Sequence, residues 1–293
     1  MQDLYTSGDG TEAIIADYPG AKLVIYKKHF NHLPWPLWQI VVLKKIRILY
    51  NPIAKCGSSF LRQAMVALSG MPESVTRLPL DTYCTGLQLG DLPLEEAQAI
   101  LHDPGFLRIA VIRDPLDRLV SAYLEKFVLN RMDVGNRFHT TAVIAAIRGR
   151  AQPDEADFHR SISFAEFVDY LVTQPPETLD PHWCPQALYL KSTSFQLFRL
   201  DRLDAMDRTL IARGAAPVQG GDRRNVTRQT AIEVPEAYRR APDSLPHADI
   251  ATESFYDESL RRKVEAYYAL DLTLMDTLSR THHRLLAPRL HQE

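Results

Sequence analysis

Two hydrophobic spacings alternate along this chain. Residues 46–50 (IRILY) form a short apolar, partly β-branched run that stops at Asn51-Pro52, as a buried strand followed by a turn would. Residues 58–70 (SSFLRQAMVALSG) then place Phe60, Ala64, Met65 and Leu68 at helical spacing, with Ser58 or Ser59 as the predicted cap and Gly70 as the stop. The same strand, loop and helix recur downstream. Residues 106–112 (FLRIAVI) predict a strand and Arg113-Asp114-Pro115 a loop. Residues 116–129 predict a helix with the stripe Leu116, Leu119, Val120, Tyr123, Leu124 and Phe127. Further helices are expected over 92–101, 164–172 (Ser163 as cap), 203–212 (ending at Gly214) and 257–278, with strands over 22–26 and 195–200. Strands that alternate with helices argue for an α/β fold around a mainly parallel sheet. Residues 216–246, rich in Pro, Arg, Asp and Gly and without a period, predict a long loop. Residues 1–43 read as an N-terminal extension, a strand and an apolar patch packing on the core, ahead of a main domain over 44–293.

Composition narrows the class. The chain has 293 residues, of which 45% are hydrophobic and 24% charged, enough for one large domain or two small ones. A formal net charge of -2 gives no basic excess for duplex nucleic acid. Three cysteines, Cys56, Cys84 and Cys184, form neither a CxxC pair nor a zinc pattern, and with an acidic, polar N-terminus they suggest reduced thiols in a cytoplasmic protein. The apolar stretch 33–43 carries two prolines and is shorter than the about 20 residues a membrane span needs. Trp35 and Trp38 within it are expected in the core, with acceptor binding or a homodimer contact as the alternative.

Two loops carry the candidate chemistry. The first, Ile53-Ala54-Lys55-Cys56-Gly57-Ser58-Ser59, joins a strand to a helix N-terminus, where free backbone N–H groups and the helix dipole attract an anion. Gly57 allows close approach, the serine hydroxyls add donors and Lys55 adds a charge. An ordinary helix start is the alternative, and the nucleoside-triphosphate loop GxxxxGK[ST] is not matched. The second, Arg113-Asp114-Pro115-Leu116-Asp117-Arg118-Leu119-Val120-Ser121-Ala122-Tyr123, puts Arg113 at the end of a strand, where open α/β sheets bind ligands. Arg113 with Ser121 makes a phosphate clamp; an ion pair of Arg113 with Asp114 or Asp117 is the alternative. Arg118 reads as structural.

Together these segments resemble the sulfotransferase superfamily, in particular its carbohydrate branch of chondroitin and dermatan type. IAKCGSS is similar to that family's PKxGxT loop, with Ala54 in place of proline and Ser59 in place of threonine, and RDPLDRLVSAYLEKF is similar to its RxPxxRLxSAY segment. Asp180-Pro181-His182-Trp183-Cys184-Pro185-Gln186 resembles its HWxPQ segment, Asn225-Val226-Thr227 a loop near the cofactor, and residues 264–271 its closing helix. The resemblance implies a P-loop-like fold with helices flanking the sheet, and 3′-phosphoadenosine-5′-phosphosulfate (PAPS) as co-substrate. It implies that Lys55, Cys56, Gly57, Ser58, Ser59 and Phe60 hold the 5′-phosphosulfate, that Arg113 and Ser121 hold the 3′-phosphate, and that Asn225 lies close by. No metal is implied. The acceptor would be a hydroxyl of a sugar, a glycan precursor or another metabolite.

Sulfuryl transfer also needs a base. His182 is the first candidate because histidine titrates near neutrality. A histidine packed on Trp183 or bonded to Asp180 is its alternative role. His102 is the reserve, and Glu125 reads as a partner of Lys126. Two other functions stay open at this point: a non-catalytic nucleotide binder of the same fold, and a P-loop-type nucleotide kinase.

Overall fold

Alternate residues of the central strands face opposite ways, and each face carries its own apolar cluster. The computed structural model describes residues 3–6, 12–18, 21–26, 32–71, 84–191, 193–218, 231–246 and 248–286. Near the N-terminus β1 (Asp3–Thr6), β2 (Glu12–Tyr18) and β3 (Ala21–Tyr26) pair antiparallel in a sheet of their own. The second sheet contains β4 (Val41–Leu43), β5 (Ile48–Asn51), β6 (Leu107–Ile112) and β7 (Gln196–Arg199) in that order. β4 runs antiparallel to β5, while β5–β6 and β6–β7 are parallel.

Val41, Leu43, Ile48, Tyr50, Ile109, Val111 and Phe198 share one cluster with Leu61, Met65 and Val66 of α1 (Ser58–Leu68). Val42 and Leu49 belong to the other, with Ala97 and Leu101 of α2 (Leu94–His102). Period-two alternation therefore puts a helix on each face of the sheet. Burial on both faces explains why residues 48–50 of β5 and the second half of β6 read as unbroken apolar runs. This mixed α/β arrangement with a mostly parallel sheet is the architecture the spacing predicts.

The sheet belongs to a compact unit made of residues 1–112 and 189–222; a second unit comprises 113–188 and 223–293. The second is built from helices: α3 (Pro115–Tyr123), α4 (Arg137–Arg148), α5 (Glu155–Arg160), α6 (Phe164–Leu171), α8 (Glu258–Tyr267) and α9 (Ala269–Leu286). Between them in sequence, α7 (Asp204–Ala212) belongs to the first unit. Aromatic rings make the second unit's core: Phe127 and Phe167 lie 4.9 Å apart, Phe167 and Trp183 5.5 Å, and Tyr123 and Phe164 5.2 Å. The Tyr123 hydroxyl donates to the Ile162 carbonyl at 3.0 Å, so this buried ring leaves no orphan donor.

Several local expectations are corrected. Ser58 and Ser59 are the first two helical residues of α1, and Gly57 is its N-cap. The strand predicted from Ile46 starts at Ile48, because residues 44–46 form a 3-10 turn closed by Arg47 in the left-handed region. The stripe over 116–129 is α-helical to Tyr123 and π-helical over Leu124–Leu129. The helix predicted over 257–278 breaks at Tyr268, whose ring is buried and whose hydroxyl donates to the Trp183 carbonyl. The Ser163 cap is found as expected, in a reciprocal capping box with Glu166.

Phe167→Ala should cost about 3–5 kcal/mol by opening a cavity among these rings, and Phe167→Leu clearly less. Urea unfolding followed by tryptophan fluorescence checks both.

Candidate functional site

The turn between β5 and α1 is shaped by backbone conformations that few residues adopt. Lys55 has φ 67° and Gly57 φ 70°, both left-handed. For Lys55, a side-chain-bearing residue, this is an uncommon state of the kind that collects at ligand sites. Gly57 suits this place because its φ favours glycine, and a Cβ there would also lie 2.7 Å from Leu200 Cδ1, so that side chain would have to shift. The first helical bond runs from Leu61 N–H to the Gly57 carbonyl at 2.9 Å. No side chain caps the helix, so the amides of Ser58, Ser59 and Phe60 open α1 as an uncapped positive end. Phe60 is exposed and Cys56 is buried.

The strand end beneath this turn is held by polar side chains. Buried Asn51 donates to the Tyr189 carbonyl at 2.8 Å, and buried Gln39 donates to Asn51 Oδ1 at 3.3 Å and the Pro52 carbonyl at 3.1 Å.

In the second unit, Arg113 is the residue immediately after β6, and Gln186 fixes its backbone. Gln186 Oε1 accepts from Arg113 N–H at 2.9 Å while Gln186 Nε2 donates to the Arg113 carbonyl at 2.9 Å. Asp271, fully buried, in turn accepts from Gln186 Nε2 at 3.1 Å and from the backbone amides of Gln186 at 2.8 Å and Ala187 at 2.9 Å. Asp114 caps α3, accepting from the Leu116 and Asp117 amides at 2.9 and 3.3 Å. Ser121 is half-buried on α3. Arg118 is structural as expected: 1% exposed, it donates to the Cys184 carbonyl at 2.7 Å and the Pro181 carbonyl at 3.0 Å. It thereby pins the segment that carries His182.

His182 is bonded to Asp180 and also has a neighbour the sequence did not reveal. Asp180 Oδ1 accepts from the His182 amide at 2.8 Å and faces its Nδ1 at 2.7 Å; Asp180 Oδ2 faces Nδ1 of His139 at 2.7 Å. Burial by itself would raise the Asp180 pKa, but the hydrogen bonds to His139 and His182 outweigh it and hold the carboxyl well below its usual range. Burial lowers the His182 pKa against the opposing pull of Asp180, favouring the neutral imidazole that a base requires. Among the described residues, His139, Asp180 and His182 have donor atoms within 4.8 Å of one another, close enough for a metal ion; their mutual hydrogen bonds account for the arrangement by themselves. His139 lies 41 positions from Asp180 on α4, with no motif around it.

The remaining candidates fall elsewhere. His102 is exposed in the last turn of α2. Glu125 pairs with Lys126 at 3.2 Å, as read. Asn225 lies outside the described residues. Burial pushes the Cys184 thiol up to about 12, which leaves it protonated and unreactive.

Comparison with known proteins gives a consistent picture. The sequence model described as the sulfotransferase family matches residues 38–276. Carbohydrate sulfotransferase 14 of Homo sapiens is 31% identical over 150 residues, covering 51% of this chain and 38% of that protein. Carbohydrate sulfotransferase 8 of Homo sapiens is 29% identical over 150 residues, covering 50% of this chain and 34% of that protein. Carbohydrate sulfotransferase 11 of Rattus norvegicus is 26% identical over 175 residues, covering 58% and 50%. The chain thus spans half or less of these relatives' lengths. No solved structure matches it significantly.

One expectation is overturned here. The matching carbohydrate sulfotransferases are Golgi-lumenal enzymes, which corrects the cytoplasmic assignment. The cysteine count was a poor guide because Cys56 and Cys184 are buried thiols outside any disulfide, which act as small apolar side chains in any compartment. No described helix is long and apolar enough to cross a membrane.

Gly57→Ala should destabilise the first unit by about 1–2 kcal/mol from the left-handed backbone alone, plus the Leu200 clash. In a thermal-melt double-mutant cycle, Leu200→Ala should relieve only the second part.

Proposed function

The chain belongs to the sulfotransferase family, and from that membership we propose that it transfers a sulfuryl group from PAPS to a carbohydrate hydroxyl. The sulfotransferase domain of this proposal is residues 44–293, in a P-loop-like fold, with 1–43 as an extension.

The observation that carries the reading is the turn at Lys55–Gly57. It delivers an uncapped helix N-terminus directly after the first parallel strand, with a lysine in a left-handed conformation beside it. Amide groups there would hold the 5′-phosphosulfate, assisted by the hydroxyls of Ser58 and Ser59 and the backbone around Cys56 and Phe60. Arg113 and Ser121 would hold the 3′-phosphate, the group that separates PAPS from ATP. Gln186 and Asp271 support this role by fixing the Arg113 backbone. Asn225 would complete the cofactor contacts.

In the reaction the acceptor oxygen attacks sulfur in line as the bond from sulfur to the 5′-phosphate oxygen breaks. The leaving group is adenosine 3′,5′-bisphosphate, and its developing negative charge falls on Lys55 and the α1 amides. The acceptor proton passes to His182, neutral beforehand because burial favours that form.

Calorimetric titration of the purified chain with adenosine 3′,5′-bisphosphate, AMP and ATP tests the cofactor. Tight binding of the bisphosphate alone is expected, and Arg113→Ala should erase its advantage over AMP; a preference for ATP would sink the reading. Lys55→Ala should lower bisphosphate release from PAPS, with desulfated glycosaminoglycan oligosaccharides as acceptors, by about 100- to 1,000-fold. Unchanged turnover would remove Lys55 from the mechanism.

A further inference from the structure

Asp180 is shared by two imidazoles, and the chemistry of a carboxylate limits what those rings can be. An ionised carboxylate has no proton to donate. At 2.7 Å from Asp180 Oδ1 and Oδ2, Nδ1 of His182 and Nδ1 of His139 must therefore each carry the hydrogen. In a neutral imidazole that leaves the lone pair on Nε2. We infer that Asp180 and His139 are positioning residues that lock His182 in the Nδ1–H tautomer, with Nε2 as the atom that accepts the acceptor's proton. This rests on His182 being the base of the proposed sulfuryl transfer.

Each member has a separate mechanical part. Asp180 Oδ1 takes two bonds from His182, one from its ring and one from its backbone amide at 2.8 Å, which sets the angle of the ring to the chain. His139 occupies Oδ2 from α4, so the carboxylate cannot turn away from His182. Arg118 holds the flanking carbonyls of Pro181 and Cys184, which keeps the short segment from shifting. The two rings meet edge to face with centroids 4.5 Å apart. Both keep part of their surface exposed, 24% for His139 and 22% for His182, so a substrate can reach them.

Burial disfavours a charged His182, Asp180 favours it, and Lys126 and His139 oppose it; Lys126 is itself paired with Glu125 at 3.2 Å.

Long-range proton–nitrogen NMR spectra of the whole chain labelled with [15N]histidine read each ring's tautomer without needing an acceptor. His139→Gln and His182→Gln assign the two signals. At about pH 8, above the ordinary histidine range, both rings should be in the Nδ1–H form. Asp180→Asn, isosteric but able to donate from one side, should turn at least one ring to the Nε2–H form while the remaining spectrum stays folded. A wild-type His182 in the Nε2–H form, or tautomers unchanged in Asp180→Asn, would overturn the inference. With PAPS and the oligosaccharide acceptors, Asp180→Asn should lower kcat about 100-fold, the scale of a general base, and leave KM for PAPS within about threefold. Locked tautomers together with full turnover in His182→Gln would instead refute His182 as the base and leave the positioning intact.

Discussion

A buried carboxylate without charge compensation is expensive, and Asp271 avoids that cost by accepting hydrogen bonds from three N–H groups of Gln186 and Ala187. That requirement organises much of the second unit. Gln186 has one side-chain oxygen and two side-chain hydrogens, and all are used: the oxygen on Arg113 N–H, the hydrogens on the Arg113 carbonyl and on Asp271. No other orientation of the amide satisfies the same partners. The consequence is a defined backbone at Arg113, where the chain leaves β6 and where the phosphate clamp is proposed. Removing either side chain would leave buried donors without acceptors, which costs more than the bonds themselves contribute.

Positioning by the same logic recurs around His182. Arg118, a charge with almost no exposure, spends its donors on the carbonyls of Pro181 and Cys184. Tyr268 donates to the Trp183 carbonyl between them. The carbonyls of Pro181, Trp183 and Cys184, on either side of the histidine, are thus tied to α3 and to the junction of α8 and α9. The aromatic core beneath supplies rigidity, and the polar bonds supply orientation. The Lys55–Gly57 turn of the first unit is organised differently. There the backbone does the work: left-handed Lys55 and Gly57 deliver a bare helix N-terminus, and Leu200 closes over Gly57.

Much of this was legible in the residues. Alternating strands and helical stripes predicted β5, α1, β6, α3, α6, β7 and α7 within a few positions, because each carries its own period. Errors fell where tertiary contacts outweigh local pattern. Tyr268 breaks an otherwise continuous helical stripe because its ring and hydroxyl are needed in the core. Ile46 looks like strand, yet a 3-10 turn ending at left-handed Arg47 takes it out of the sheet. The serines looked like caps, yet a glycine holds that position because the backbone there is left-handed, where L side chains are strained. The compartment was misread because Cys56 and Cys184 are buried, and a buried thiol reports packing rather than redox environment.

By itself the sequence determined the α/β class, the strand–turn–helix at Lys55–Ser59, the Arg113 segment and membership of a family, because each is written in consecutive residues with a characteristic spacing. Only the tertiary structure decided which distant side chains meet. His139 and Asp180 lie 41 positions apart, and Gln186 and Asp271 lie 85 apart. Nothing in a local pattern encodes such pairs, since they arise when helices from separate parts of the chain pack on one aromatic core and bury polar groups that must then find partners.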